Sequence, residues 1–211
     1  MMTSLRSLAA ILLLLGTFSG CSLPKIVFLH DPLSADEHTQ LGIAYDSQQK
    51  HDLALDQFRL AIKKDKKHLA AWKLLADLSY RLNDLDSAVS ALEKAIELEP
   101  ASGDSRNNLA WVYLKQGTNL KQAATILEEA LMLHPANRPY YLDTLGMVLL
   151  KLGKTKEAVS ALEESARTLP ADKPEVLAEA YDHLAQAYDA AGNKDGHERS
   201  LIKAQVLRNK K

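Results

Sequence analysis

From about residue 35 to the end of the chain, apolar residues recur three and four positions apart, with polar and charged residues between them. Examples are Trp72, Leu75 and Ala76, followed by Ala88 and Leu92. This spacing places the apolar side chains on one face of an α-helix. The pattern therefore predicts a succession of amphipathic helices, each with an apolar face that must be buried against a neighbour.

A short motif, a leucine followed by a small residue, occurs five times in this helical region. The first two intervals between the leucines are 34 residues. The motifs are Leu41-Gly42, Leu75-Ala76, Leu109-Ala110, Leu145-Gly146 and Leu184-Ala185. Each is followed by an aromatic residue or, once, by a leucine: Tyr45, Tyr80, Tyr113, Leu149 and Tyr188. A period of this length is typical of a repeated helix-turn-helix unit.

The second half of each unit is equally regular. An alanine is followed by a large apolar residue and then by a small one, as in Ala88, Leu92 and Ala95. Prolines close the middle units: Pro100, Pro135 and Pro170. Together these positions resemble the tetratricopeptide repeat (TPR) family over residues 35–211. The resemblance implies an all-α fold, a right-handed α-solenoid of about five units, at residues 35–68, 69–102, 103–137, 139–172 and 178–211.

The turns and the two ends of the array carry their own signatures. Gly117, Gly153 and Gly192 stand where a left-handed residue ends a first helix, and Asn83 and Gln49 take that place in the first two units. The segment Ser34–Glu37 predicts a capping box at the start of the array. In the fifth unit, His197 replaces the alanine and Asn209 the proline, which predicts a terminal unit with a polar outer face.

The N-terminal segment predicts export. Arg6 precedes the apolar run Leu8–Phe18, which is too short to span a bilayer of about 30 Å, and then Ser19-Gly20-Cys21. This resembles a bacterial lipoprotein signal, with residues 1–20 removed, Cys21 acylated with chains such as palmitate, and residues 21–34 as a tether. Ser22 then implies the outer membrane of the cell envelope, with the protein facing the periplasm. Ordinary cleavage after Ser19, which leaves a free thiol, is the alternative.

Composition and motifs exclude several classes of function. The net charge is −1 and the one basic cluster, Lys63–Lys67, falls at a predicted helix end, so nothing indicates nucleic-acid binding. No catalytic or phosphate-binding motif occurs, and the seven histidines lack the spacing of metal ligands. We therefore expect no enzyme activity, no cofactor, no metal and no small-molecule substrate.

The family resemblance implies that partners bind the concave surface lined by the first helix of each unit, hereafter the groove. The candidate residues are Lys73, Tyr80, Arg81, Asn107, Trp111, Leu114, Lys115, Tyr140, Met147, Leu150 and Lys151. Within this set an apolar patch is expected at its centre, formed by Trp111, Leu114, Tyr140, Met147 and Leu150. The clamp that recognises peptide carboxylates in chaperone-binding relatives is not matched, because Asp77 stands where that clamp has asparagine.

Arg81, Lys115 and Lys151 occupy the same position in three successive units. Two interpretations are open: a basic ladder for acidic groups of a partner, or cations that complement the dipoles at the ends of the first helices. We favour the second.

Two functions fit these features. The first is a membrane-tethered adaptor that holds a segment of another envelope protein in the groove, for example in pilus or secretion complex assembly. The second is a structural or self-associating subunit of an envelope complex that uses its convex face. The apolar centre of the groove favours the first.

Overall fold

The computed structural model describes residues 31–209, which fold into ten α-helices and one short 3₁₀ helix, with no strand in that range. The predicted signal peptide, Cys21 and most of the tether lie outside these residues. The helices are α1 Ala35–Ser47, α2 His51–Lys64, α3 Leu69–Arg81, α4 Leu85–Leu98, α5 Gly103–Gln116, α6 Leu120–Leu133, α7 Arg138–Lys151, α8 Thr155–Thr168, α9 Pro174–Ala190 and α10 Lys194–Arg208, with the 3₁₀ turn at Pro135–Asn137.

The helices form five antiparallel pairs, from α1 with α2 to α9 with α10, and each second helix also packs on the first helix of the next pair. The first helices α5, α7 and α9 contact one another in turn. The predicted all-α solenoid of five helix-turn-helix units is therefore confirmed. Within residues 31–209, no helix is long and apolar enough to cross a membrane.

The small residue of each repeated motif allows the two helices of a pair to approach closely. A β-carbon at Gly42 would overlap the ring of Phe58, and one at Gly146 would overlap Leu162. Phe58 and Leu162 are almost completely buried. The repeat therefore encodes a close helix contact, in which a large residue of the second helix fills the space left by the missing side chain.

The residues at the ends of the first helices adopt the left-handed backbone conformation that the sequence predicts. Gly117, Gly153 and Gly192 have φ of 69°, 75° and 72°, while Asn83 has 64° and Gln49 has 60°. At the start of the array, the Ser34 hydroxyl accepts from the Glu37 backbone and the Glu37 carboxylate accepts from the Ser34 backbone, so the capping box is confirmed.

One further left-handed residue, Asn119, has φ 51°. It lies directly before α6, in the segment from Lys115 to Ala123, which is one residue longer than the equivalent segment from Arg81 to Ala88.

The C-terminal unit departs from the regular repeat in two respects. α9 begins at Pro174, because proline fits the first turn of a helix. α10 was expected to present a polar outer face, and its charged residues are exposed: Lys194, Asp195, Glu198, Arg199, Lys203 and Arg208. Leu201, Ile202 and Val206 on the same helix are also exposed, at 43%, 55% and 50%.

Candidate functional site

All eleven predicted groove residues lie on three first helices. α3 carries Lys73, Tyr80 and Arg81; α5 carries Asn107, Trp111, Leu114 and Lys115; α7 carries Tyr140, Met147, Leu150 and Lys151. Since α5 packs directly on α7, the side chains between these two helices are partly enclosed, whereas a cavity opens between α3 and α5.

The cavity between α3 and α5 has a volume of about 480 Å³. It brings together three predicted residues, Lys73, Tyr80 and Trp111, from two consecutive units. The remaining lining residues are Ala76, Asp77, Leu92, Asp104, Ser105, Asn108 and Val112. Its volume lies within the range of about 300–1,000 Å³ found for ligand pockets.

The walls of this cavity are apolar and aromatic, and its rim is charged. Leu92 and Val112 are buried, and Tyr80 and Trp111 are half-buried. At the rim, the Lys73 ammonium donates a 2.6 Å hydrogen bond to Glu99. This bond holds the pKa of the Glu99 carboxyl below its usual value, although partial burial acts the other way. The cavity therefore suits a large apolar group framed by polar contacts.

Asp104, one of the residues that line the cavity, is tied to the fourth unit. The Tyr141 hydroxyl donates a 2.7 Å hydrogen bond to Asp104 Oδ1, and the Asn137 amide donates to the same oxygen over 3.0 Å. Burial, together with the bond to the carboxylate, raises the pKa of Tyr141 to about 12. These contacts fix the Asp104 side chain at the cavity.

Two of the three cations at the first-helix ends reach back to the preceding unit. The Arg81 guanidinium pairs with Asp77 on its own helix, at 3.0 Å, and with Asp46 on α1, 35 residues earlier. Lys115 lies 4.3 Å from the centre of the Tyr80 ring, and its ammonium also donates to the Tyr80 carbonyl over 3.4 Å. Arg81 and Lys115 therefore link consecutive units, in addition to their positions at helix ends.

A second cluster joins α5, α7 and α9. His183 Nδ1 lies 2.8 Å from Asp143 Oδ2, and the His183 and Trp111 rings lie 5.8 Å apart at an angle of 47°. Burial lowers the pKa of His183, but the Asp143 hydrogen bond and nearby carboxylates raise it more, so the net pKa lies above its usual value. Trp111 therefore contacts both the cavity and this cluster.

Two buried acceptor atoms belong to the same region of the molecule. Asn107 Oδ1, one helical turn before Trp111, and Asp143 Oδ1 receive no hydrogen bond from any residue in the described range. Leaving such an atom unpaired costs about 1–3 kcal/mol. Ser79 Oγ on α3 and Ser165 Oγ on α8 are in the same state, so this feature is not confined to the groove.

The apolar patch is smaller than the sequence suggested. Leu114 and Met147 are only 8% and 9% exposed and belong to the hydrophobic core, so their placement in an open patch is corrected. The close packing of α5 on α7 buries them. Trp111, Tyr140 and Leu150 remain half-buried, and the Lys173 ammonium donates to the Tyr140 hydroxyl over 3.0 Å.

His183 is not among the residues predicted for the groove, because along the sequence it is one of seven scattered histidines. Aligning the repeats would have revealed it. Asp143 stands two positions before Leu145, and His183 stands one position before Leu184. These are neighbouring positions on consecutive first helices, and such helices lie side by side in the array. No group of three or more His, Cys, Asp or Glu side chains within residues 31–209 is arranged to hold a metal ion.

Comparison with known proteins agrees with the fold and the repeat pattern. The family model of the cytochrome c-type biogenesis protein H TPR domain matches residues 38–176, more than half of the chain. The chain therefore belongs to the TPR family, whose members are protein-interaction scaffolds.

A peroxisomal targeting signal receptor of Candida albicans is 35% identical over 60 residues, but the match spans only 10% of that receptor and 28% of this chain. The crystal structure of PilW, a type IV pilus biogenesis factor, superposes with a TM-score of 0.73 at 22% identity, covering 82% of this chain and 77% of PilW. YrrB, described as a TPR protein with an unusual peptide-binding site, gives 0.62 at 21% identity, covering 83% and 87%. At these identities the two structures establish the fold.

Proposed function

We propose that this protein is a lipid-anchored, non-catalytic adaptor of the bacterial cell envelope that holds a segment of another protein in its groove. The observation that carries the proposal is the cavity of about 480 Å³ between α3 and α5, with Trp111 shared between it and the Asp143–His183 pair. A cavity bordered by aromatic side chains and a charged rim has the composition of a binding hot spot.

The cavity also indicates what the partner segment carries. Its apolar wall, including Leu92 and Val112, favours a large aliphatic or aromatic side chain, because polar groups placed there would lose their hydration. Tyr80 and Trp111 provide flat surfaces against which such a side chain packs. The charged groups at the rim are positioned to orient the polar backbone on either side. We therefore expect an extended or helical segment with one dominant apolar residue.

The cellular setting is part of the same proposal. Acylation of Cys21 and transfer to the outer membrane, facing the periplasm, would place the groove among envelope proteins. PilW, which shares the fold, is a pilus biogenesis factor, and YrrB has a peptide-binding site. The description of PilW supports a role in assembly of an envelope, pilus or secretion complex, and that of YrrB supports the binding of a peptide segment.

Affinity capture from detergent-solubilised envelopes tests the groove. The full chain is compared with a Trp111→Ala/Tyr140→Ala variant and with Met132→Ala, a matched control because Met132 is 75% exposed on α6. We expect a partner recovered with the unchanged chain and the control but lost at least tenfold with the double variant. Equal recovery from all three, with unchanged helical circular dichroism, would place the interaction outside the groove.

A separate experiment tests the anchor. Cells expressing the full chain or Cys21→Ser are labelled with radioactive palmitate and fractionated. We expect label and outer-membrane fractionation for the unchanged chain, and neither for the variant. An unlabelled protein with a free Cys21 thiol would favour ordinary signal cleavage instead.

A further inference from the structure

One face of α5 places a carboxylate, an amide and an indole along the wall of the cavity. Asp104, Asn108 and Trp111 follow one another at intervals of four and three residues, so they lie on the same side of the helix. All three line the cavity of about 480 Å³ between α3 and α5. These three residues, hereafter the α5 strip, carry a single charge, that of Asp104.

The hydrogen bonds that Asp104 receives do not neutralise its charge. Its Oδ1 accepts from the Tyr141 hydroxyl and from the Asn137 amide, which are both uncharged donors. Among residues 31–209, no lysine, arginine or histidine forms an ion pair with Asp104, and no donor reaches its Oδ2. The residue is exposed, so a group from outside the chain can reach the carboxylate.

The cation that lines the cavity is already engaged elsewhere. The Lys73 ammonium on α3 donates a 2.6 Å hydrogen bond to the Glu99 carboxylate. This pair is neutral as a whole. It therefore leaves the charge of Asp104 unbalanced.

The charges at the C-terminal ends of α3 and α5 balance one another. These two ends adjoin, since the Lys115 ammonium donates to the Tyr80 carbonyl. Arg81 binds the carboxylates of Asp77 and Asp46. Two cations thus stand with two carboxylates at this end, and the excess negative charge of the cavity lies at Asp104, at the start of α5.

The helix dipole accounts for only part of this placement. Asp104 stands in the first turn of α5, where a carboxylate complements the dipole. The dipole supplies about half an elementary charge, spread over the free N–H groups of that turn, so it offsets the carboxylate incompletely. A positively charged group in the cavity would complete the balance.

The length of the α5 strip sets a spacing for the ligand. Asp104 and Trp111 are seven residues apart on the helix. At about 1.5 Å per residue this is about 10 Å along the axis. An extended chain covers that distance in about three residues. A segment lying along the strip would therefore bring one side chain to Asp104 and another, about three residues away, to Trp111.

We infer that the partner segment carries an arginine or lysine about three residues from its dominant apolar residue, and that this cation pairs with Asp104. The inference rests on the proposed function, because it specifies what the groove binds. Long cationic side chains suit the site, since their aliphatic part packs on apolar walls while the charged end reaches a carboxylate. An acidic segment would instead meet a like charge at Asp104.

Selection from a library of short random peptides displayed on phage, with the full chain in detergent as the bait, tests the composition of this segment. Groove-dependent peptides are those recovered by the unchanged chain and lost with Trp111→Ala/Tyr140→Ala. We expect them to combine a large apolar residue with an arginine or lysine about three positions away. Asp104→Asn should select the apolar residue without the cation.

Asp86→Asn is the matched control for the loss of a first-turn carboxylate. Asp86 is also the second residue of a helix, α4, and it also accepts from an amide of another helix, that of Gln116 over 3.0 Å. The cavity is lined by Asp104 and not by Asp86. Asp86→Asn should therefore select the same peptides as the unchanged chain.

A second measurement separates direct pairing from a change in structure, because Asp104 also accepts from Tyr141. Fluorescence anisotropy gives the affinity of the most enriched peptide and of a form in which neutral glutamine replaces its cation. The glutamine form should bind the unchanged chain about three- to tenfold more weakly. Both forms should bind Asp104→Asn equally. The same weakening in both chains would overturn the pairing.

The selection also distinguishes this inference from the proposed function. Groove-dependent peptides that carry the apolar residue without a cation, or with acidic residues in its place, would overturn the inference and leave the groove as the binding site. Recovery that does not differ between the unchanged chain and Trp111→Ala/Tyr140→Ala would overturn both.

Discussion

His183 on α9 and Asp143 on α7 form a partly buried pair, with His183 Nδ1 2.8 Å from Asp143 Oδ2, across the junction of the fourth and fifth units. The side chains are only 19% and 14% exposed. The pair is therefore sheltered from solvent screening, and it joins two first helices beside Trp111. This part of the groove therefore contains an ionisable contact between α7 and α9.

The His183–Asp143 pair should make folding stability depend on pH. Because the pKa of His183 is raised in the folded state, its stabilising contribution is complete below the unfolded value of about 6.5 and is lost as pH rises through the folded pKa. We expect the difference in free energy of unfolding between the unchanged chain and His183→Gln to shrink as pH rises from about 5.5 to 9. Urea unfolding followed by circular dichroism measures it.

Asp143→Asn provides the second arm of that experiment, because it removes the carboxylate but keeps a side chain of similar shape. The difference in free energy of unfolding between Asp143→Asn and the double variant Asp143→Asn/His183→Gln should therefore depend little on pH. A difference that stays constant with pH in the original background would contradict the assignment of this pair.

Leu145→Ala tests the core of the fourth unit. Leu145 is 8% exposed and belongs to the hydrophobic core, so the change removes buried contacts and leaves a cavity. We expect a loss of about 2–5 kcal/mol in the free energy of unfolding. Leu53→Ala, at a leucine that is 45% exposed on α2, should change it by less than about 0.5 kcal/mol. Similar losses for both variants would contradict the packing described above.

Gln49→Gly should stabilise the protein. Gln49 has φ 60°, a conformation that costs residues with a β-carbon about 1–2 kcal/mol, and glycine avoids this cost while losing more chain entropy on folding. The net gain should be about 0.5–1 kcal/mol. Gln48→Gly, one residue earlier at φ −89°, has no strain to relieve and should destabilise. Thermal unfolding of the two variants compares them, and a loss for both would refute the strain argument.

The Arg81–Asp46 pair should contribute little to stability although it links two units. Arg81 is 43% exposed and Asp46 is 24% exposed, so water and salt screen their attraction. A double-mutant cycle with Arg81→Ala and Asp46→Ala should give a coupling free energy below about 1 kcal/mol, which falls further at high salt. The exposed pair Arg59 and Asp56, within α2, serves as the reference. A coupling above about 2 kcal/mol would mean that the pair is structurally essential.

The sequence by itself determined the features that depend on short stretches of chain. The five helix pairs, the left-handed residues at Gly117, Gly153 and Gly192, and the capping box at Ser34 and Glu37 all follow from spacing and backbone preference within a few residues. These interactions are local, and the same pattern recurs in several units, so each unit supports the prediction made for the next.

Only the tertiary structure decided how consecutive first helices are spaced. That spacing buries Leu114 and Met147 between α5 and α7, opens the cavity beside Trp111, and brings His183 to Asp143. Apolar and aromatic side chains occur both at the buried contact between α5 and α7 and at the open cavity between α3 and α5, so residue type alone does not distinguish the two places. The spacing of the helices depends on the volume of the side chains that neighbouring units contribute. Close packing therefore makes the position of each helix depend on residues 30 to 40 positions away.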